Sequence, residues 1–111
     1  MIRVGFCRSV EDNYEALVLL DEPSADSIEF QRALIHYAQD VQVGMDSYAI
    51  VRGGPVHYGG LARFSLEGGM LSLELDEAAA SVLELPQRVE IPVDDEAAST
   101  VAEHLPRIVA P

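Results

Sequence analysis

Three histidines, His36, His57 and His104, are the side chains best suited to acid–base chemistry or metal binding. No two of them have the HxH or HExxH spacing that directs two ligands to one metal ion. His57 is followed by Tyr58 and by two glycines, so an acid–base group and a phenol precede a backbone that can turn sharply. Three interpretations of this pair stay open: a structural role beside a backbone bend, contact with a ligand or a partner, or a small enzyme that uses His57 and Tyr58 with a nearby carboxylate.

Nucleophilic catalysis and phosphate binding have little support among the other residues. A nucleophile needs a neighbouring base, and the single cysteine, Cys7, lies in a strand pattern that predicts an inert packing role. No serine lies in a Gly-x-Ser-x-Gly elbow, and the chain has no lysine for a Walker-type phosphate loop. The residues therefore predict a protein that is not an enzyme and that uses no cofactor and no metal ion.

The charge of the chain is strongly acidic. The 19 acidic residues outnumber the 7 basic residues, which are all arginine, and the formal net charge is −12. A field of that sign repels nucleic acids and anionic membranes and attracts basic proteins. The charge either only keeps the protein soluble or serves to attract a partner. If it attracts a partner, we expect a basic protein, and neither a nucleic acid nor a membrane.

Length and hydrophobicity predict one domain over residues 1–111, because 49% hydrophobic residues can form a single core. The longest apolar run, residues 16–20, is too short to cross a bilayer. No stretch near the N-terminus resembles a signal peptide, and a single cysteine excludes an internal disulfide. These features predict a cytoplasmic protein.

The clearest element is a hairpin over residues 61–75 that turns at Gly68-Gly69. A two-residue turn there places three apolar pairs on one face: Leu66 with Leu71, Phe64 with Leu73, and Ala62 with Leu75. The other face pairs Arg63 with Glu74. A slip of one residue would turn the leucines into water, so the register of this hairpin is well specified.

Shorter patterns predict further strands at residues 2–6, 16–20, 48–52, 56–58 and 88–93. The unbroken apolar run 16–20 predicts a strand that is covered on both faces. Asp76 is expected to cap a helix that ends near Leu83, and Asp94 to open a last helix that Pro106 stops or kinks. This order predicts an α+β fold, mainly antiparallel β-sheet with one or two short helices packed on it.

Residues 28–41 fit two different templates. Six apolar residues recur at helical spacing: Phe30, Ala33, Leu34, Tyr37, Ala38 and Val41. Asp26 with Glu29 resembles a helix-capping box, which also favours a helix. Against this, Ile28 and Phe30 alternate with polar residues as they would in a strand. Both alternatives stay open, although the pattern alone favours the helix.

Three short motifs within residues 29–60 resemble those of a known protein family. They are Phe30-Gln31-Arg32, then Gln39-Asp40 with Gly44-Met45-Asp46-Ser47-Tyr48, and finally His57-Tyr58-Gly59-Gly60. Together they resemble the bacterial immunity proteins called immunity protein 10, over about residues 28–93. This resemblance favours a strand at the start of residues 28–41.

The resemblance implies a non-catalytic protein, encoded beside a toxin gene, that neutralises a cognate toxin domain by stoichiometric occlusion. The acidic charge agrees with a basic toxin such as a nuclease, whose active site must hold phosphates. The expected partner-binding residues are Asp40, Asp46, Tyr48, His57 and Tyr58, with the two tyrosines as anchors. A homodimeric ligand-binding adaptor is a further alternative, and the oligomeric state stays open.

Overall fold

The computed structural model describes residues 2–35 and 47–110. In this part of the chain, the first five strands form one antiparallel sheet in sequence order, which we name the five-stranded sheet. Its strands are β1 (Ile2–Ser9), β2 (Tyr14–Asp21), β3 (Asp26–Ala33), β4 (Ala49–Val51) and β5 (Val56–Tyr58). Strands β1 and β5 form its edges, so β3 lies at its centre.

A second antiparallel sheet, named the three-stranded sheet, follows in the chain. Its strands are β6 (Leu61–Glu67), β7 (Met70–Leu75) and β8 (Arg88–Pro92). Helix α1 (Glu77–Leu83) connects β7 to β8, and helix α2 (Asp95–Ile108) follows β8. Mainly antiparallel sheet with two helices in the described residues confirms the predicted α+β fold.

Both helices begin where the sequence predicts a cap. The carboxylates of Asp76 and Asp94 accept hydrogen bonds from backbone N–H groups three residues further on, at 2.8 and 2.7 Å. Of the two effects predicted for Pro106, a stop is wrong, because α2 continues through Pro106 to Ile108. Leu105 and Ile108 are fully buried, so core packing holds the last turn although proline removes one helical hydrogen bond.

One hydrophobic cluster joins the inner sides of both sheets to both helices. In the five-stranded sheet, its least exposed side chains, at 1% or less, are Leu17, Leu19, Phe30 and Ile50. Helix α2 lies against β1, β2 and β3 on this side. The prediction that β2 is covered on both faces is confirmed only at Ala16, which is 1% exposed on the opposite side, whereas Val18 and Leu20 on that side are half-buried. The helices thus cover one face of this sheet.

Residues 26–33 form strand β3, so the helical interpretation is wrong for this part of the chain. Strand β3 pairs with β2 along its whole length and with β4 from Glu29 to Gln31. Pairing on both sides satisfies its backbone, and this tertiary context outweighs the helical spacing of its apolar residues. Asp26 consequently begins a strand instead of capping a helix. Residues 36–41, which complete the helical pattern, lie outside the described residues.

The hairpin β6–β7 turns at Gly68-Gly69 as predicted, with φ angles of 57° and 75° that suit a type I′ turn. Two of the three predicted apolar pairs form: Phe64 with Leu73, and Leu66 with Leu71. The third predicted pair is wrong, because a register shift at Ala62 places Leu61 opposite Leu75. Ala62 is exposed as the extra residue of a bulge.

Candidate partner-binding surface

The outer face of the five-stranded sheet is the side opposite α2. Strand alternation and register arrange its side chains in rows that run across the strands. The central row is Gly5, Val18, Glu29, Val51 and Val56. The adjacent row is Cys7, Ala16, Gln31, Ala49 and Tyr58. Both rows are apolar except at the middle, where β3 contributes its two polar side chains.

Apolar side chains on this outer face are accessible to solvent. On the edge strand β5, Val56 is 44% exposed and Tyr58 is 42% exposed. Val18 and Val51, nearer the centre, are half-buried by their neighbours. An accessible apolar sheet face can take up the apolar surface of another protein, because the contact removes both surfaces from water.

Glu29 lies in the middle of the outer face, between Val18 on β2 and Val51 on β4. Among the described residues, its carboxylate accepts a hydrogen bond from the side-chain amide of Gln31 and forms no ion pair. Partial burial disfavours the charged form and raises the pKa of Glu29 above its ordinary value. A partly desolvated carboxylate in this setting is suited to receive a cation from outside the chain.

A shallow concavity of about 210 Å³ lies at one end of the outer face. Tyr14 on β2 and Tyr58 on β5 stand on its two sides, with Gln31 and Ala49 between them. The hydroxyl of Tyr14 accepts a weak hydrogen bond from the thiol of Cys7 at 3.8 Å, and this contact raises the pKa of Tyr14. Cys7 is exposed, which corrects the expectation that it packs inside the protein.

The outer face of the three-stranded sheet differs, because both of its arginines are paired with glutamates of the chain. Arg63 pairs with Glu74 across β6 and β7, as predicted. Arg88 on β8 lies 3.0 Å from Glu90 and 3.9 Å from Glu74. The hydrogen bond from Arg63 lowers the pKa of Glu74 below its ordinary value. Such a face is satisfied in water and requires no partner.

A protein-family model described as Immunity protein 10 matches residues 2–101 of the 111-residue chain. The chain belongs to the immunity protein 10 family. The match begins in β1 and ends within α2, so it extends beyond residues 28–93, over which the sequence itself shows the resemblance. Membership of this family suggests a toxin-neutralising role. Comparisons with curated proteins and with solved structures returned no match.

Of the five expected partner-binding residues of this immunity protein, the three that the structure describes do not lie on one face of the sheet. Asp40 and Asp46 lie outside the described residues. Tyr58 lies on the outer face, where a partner can reach it. Tyr48 and His57 lie on the core side of the sheet, and both have structural contacts there.

Tyr48 joins the two sheets and is only 9% exposed. Its hydroxyl accepts a hydrogen bond from the backbone N–H of Leu61 at 2.9 Å, and its carbonyl accepts one from Gly59 at 2.8 Å. Burial raises the pKa of Tyr48. The ring is therefore not accessible as an anchor for a partner, and its place in the family motif has a structural explanation.

His57 points to the opposite side from Tyr58, because successive strand residues face opposite sides of a sheet. Its Nδ1 donates a hydrogen bond to the carbonyl of Gly59 at 3.0 Å. Gly60 has a φ angle of 101°, and a Cβ atom there would lie 2.4 Å from Cβ of Ala79 and 3.0 Å from Nδ1 of His57. His57 and Gly60 of the His-Tyr-Gly-Gly motif thus pack beside α1, whereas Tyr58 faces the other side of β5.

The other two histidines provide no site in the described residues. His36 lies outside them, and His104 on α2 stacks on Phe6 with ring centroids 3.6 Å apart. Within residues 2–35 and 47–110, no three His, Cys, Asp or Glu side chains are grouped as metal ligands. No helix in the same part of the chain is long and apolar enough to cross a membrane.

The sequence does not reveal the central row around Glu29, because its five members come from five different strands and only the pairing of those strands brings them together. In the sequence, Glu29 belongs to a pattern that resembles a helix-capping box but also to an alternating, strand-like stretch, and the apolar run around Val18 predicts a strand covered on both faces. One signal was available in the motif Phe30-Gln31-Arg32, because a strand with Phe30 in the core must turn Glu29 and Gln31 to the other side.

Proposed function

We propose that this immunity protein neutralises a toxin domain encoded beside its own gene by forming a stoichiometric complex, without catalysis. Family membership supports the toxin-neutralising role. The outer face of the five-stranded sheet is the observation that supports binding as the mechanism. It combines accessible apolar side chains with a carboxylate that has no described cationic neighbour, which is the composition of a protein-binding surface.

The charge of the chain supports a basic toxin as the partner. A net charge of −12 attracts a basic surface over a long range, so association is fast at low salt and slows as salt is added. A nuclease fits this requirement, since its active site must attract phosphates. The same charge opposes binding to nucleic acids and to anionic membranes, and we place the complex in the cytoplasm.

The two alternatives make different demands on the structure. The small enzyme requires His57 and Tyr58 to act together, whereas the structure places them on opposite sides of β5. The homodimeric adaptor would bury the accessible apolar face against a second copy of the chain. Light scattering of the free protein at micromolar concentration separates a monomer, which we expect, from a stable dimer.

The test is a titration of the toxin domain with the purified immunity protein. Stoichiometric occlusion predicts that toxin activity falls linearly and reaches zero at one equivalent. Toxin recovered after denaturing separation should have an unchanged mass and regain its activity on refolding. Inactivation of many equivalents of toxin by one immunity protein, or a covalent change in the toxin, would show a catalytic mechanism and overturn the proposal.

Protection in cells is the second arm of this test. Co-expression of the toxin domain with the immunity protein in a sensitive bacterium should restore growth, whereas the toxin domain alone should kill. Equal killing in both cultures, together with no complex at low salt, would overturn the proposed function.

A further inference from the structure

We propose that the toxin domain docks on the outer face of the five-stranded sheet and places an arginine or lysine side chain against Glu29. This proposal rests on the proposed function and specifies the docking surface and the anchoring residue. The central observation is the position of Glu29 in a row whose nearest members are Val18 and Val51.

A carboxylate in this position contributes little to the free protein. Its cross-strand neighbours are valines, and its described polar contact is the amide of Gln31. Partial burial raises the pKa of Glu29, so the free protein holds this charge in an unfavourable environment. A cation supplied by a partner would compensate that cost, and an arginine could do so through two parallel hydrogen bonds.

The surroundings of Glu29 suit a buried ion pair in the complex. Val18, Val51 and Val56 would keep water away from the pair once a partner covers them, and electrostatic attraction strengthens as water is excluded. The amide of Gln31 already holds one oxygen of the carboxylate, which limits the freedom lost on binding. Tyr58 adds a large exposed ring at the edge of the same face.

Other described surfaces lack this combination. The inner face of the five-stranded sheet is covered by α2, and the outer face of the three-stranded sheet has its arginines paired with Glu74 and Glu90. The exposed side of α2 carries acidic residues such as Asp95 and Glu103, which lie in water. Charges of that kind accelerate the encounter but add little affinity. The acidic surface therefore attracts the toxin, and the outer face of the five-stranded sheet holds it.

The test measures binding of the co-encoded toxin domain to the full chain by titration calorimetry. Glu29→Gln removes the charge while keeping the shape and a hydrogen-bond acceptor for Gln31. Its matched control is Glu67→Gln, which removes the same charge from an exposed strand position on the three-stranded sheet. We expect Glu29→Gln to weaken binding by about 30-fold or more, and Glu67→Gln by less than about 3-fold.

A second pair of variants tests the face without removing the carboxylate. Val51→Arg places a guanidinium directly opposite Glu29, so the chain itself would occupy the position reserved for the partner's cation. Its control is Ser65→Arg on the outer face of the three-stranded sheet. We expect Val51→Arg to reduce affinity by about 100-fold or more, and Ser65→Arg by less than about 3-fold. Unchanged far-UV circular dichroism and cooperative melting verify that each variant is folded.

The possible results separate this proposal from the proposed function. If the wild-type chain binds and protects while Glu29→Gln and Val51→Arg bind as tightly as their controls, the docking face is wrong and the toxin-neutralising function stands. If the wild-type chain neither binds nor protects against the co-encoded toxin, both proposals fail. Weaker binding of Glu29→Gln and Val51→Arg than of their controls supports both the docking face and the toxin-neutralising function.

Discussion

The two sheets of this immunity protein have the same alternation of residues but very different outer faces. The three-stranded sheet turns serines and paired charges to solvent, including the pair Arg63 and Glu74. The five-stranded sheet turns Val56 and Tyr58 to solvent and leaves Val18 and Val51 half-buried around Glu29. A sheet that only needs to be soluble has the first kind of face. In the second kind of face, the exposure of apolar side chains to water is unfavourable, and a partner that covers the face removes this unfavourable free energy.

The two central glutamates show this difference most directly. Glu74 has an arginine on each neighbouring strand, and its hydrogen bond from Arg63 lowers its pKa. Glu29 has a valine on each neighbouring strand, and partial burial raises its pKa. The chain stabilises the first charge by itself, whereas we infer that it leaves the second to be stabilised by a partner.

The largest expected effect concerns the assignment of inner and outer faces. Leu73→Ala should destabilise the protein by about 2–5 kcal/mol, because Leu73 is 1% exposed in the core. Ser72→Ala, its neighbour on the outer face, should change the free energy of unfolding by less than about 0.5 kcal/mol. Urea unfolding of both variants measures this contrast. Similar losses would mean that the faces of the three-stranded sheet are assigned wrongly.

A smaller loss is expected at the junction that holds the two sheets together. Gly60→Ala should cost about 2 kcal/mol, because its positive φ angle and the close approach of Ala79 leave no room for a Cβ atom. Gly54→Ala is the control, since a Cβ atom there has no neighbour within 4 Å. Thermal melting should show a lower Tm for the first variant alone. Equal Tm values would contradict the close packing of Gly60 against Ala79 and His57.

The smallest expected effects are changes in folding stability with pH, which have opposite signs for the charges of Glu29 and Glu74. A raised pKa in the folded state means that the charge of Glu29 reduces stability as pH rises above about 4.5, the unperturbed value for glutamate. Glu29→Gln should therefore be as stable as the wild type in acid and more stable at pH 7. A lowered pKa means that the charge of Glu74 adds stability above the same pH, which is lost as pH falls through the folded-state pKa.

Glu74→Gln should consequently be less stable than the wild type at pH 7, and this difference should shrink in acid. The measurement is the difference in Tm between each variant and the wild type from pH 4 to pH 7. Taking the difference cancels the effect of the other titrating groups, which the variant and the wild type share. A loss of stability at pH 7 in Glu29→Gln, similar to that in Glu74→Gln, would mean that Glu29 already has a cationic partner within the chain.

Local patterns predicted much of this fold. Alternation and turn residues located the hairpin at Gly68-Gly69, and Asp76 and Asp94 located the starts of both helices. They could not locate the bulge at Ala62, because Leu61 and Ala62 are both apolar and alternation cannot decide which of them faces the core. Only the pairing with β7 makes that choice.

The candidate site was harder to predict, because it depends on contacts between distant strands. The spacing of apolar residues after Ile28 suggested a helix, whereas pairing with β2 and β4 makes this stretch the central strand. That pairing places Glu29 between valines that are 11 and 22 residues away in the chain. Of the expected partner-binding residues, Tyr58 lies on this face and Tyr48 is buried in the core. The spacing of the tyrosines in the sequence does not distinguish these two positions.

The most direct test of the central claim is methyl NMR of the immunity protein in complex with its co-encoded toxin domain. The methyl groups of Val18, Val51 and Val56 report on the outer face of the five-stranded sheet, and that of Met70 reports on the outer face of the three-stranded sheet. We predict that binding shifts the three valine signals and protects them from a soluble paramagnetic agent, while Met70 is unchanged. Shifts and protection at Met70 with unchanged valines would contradict the claim.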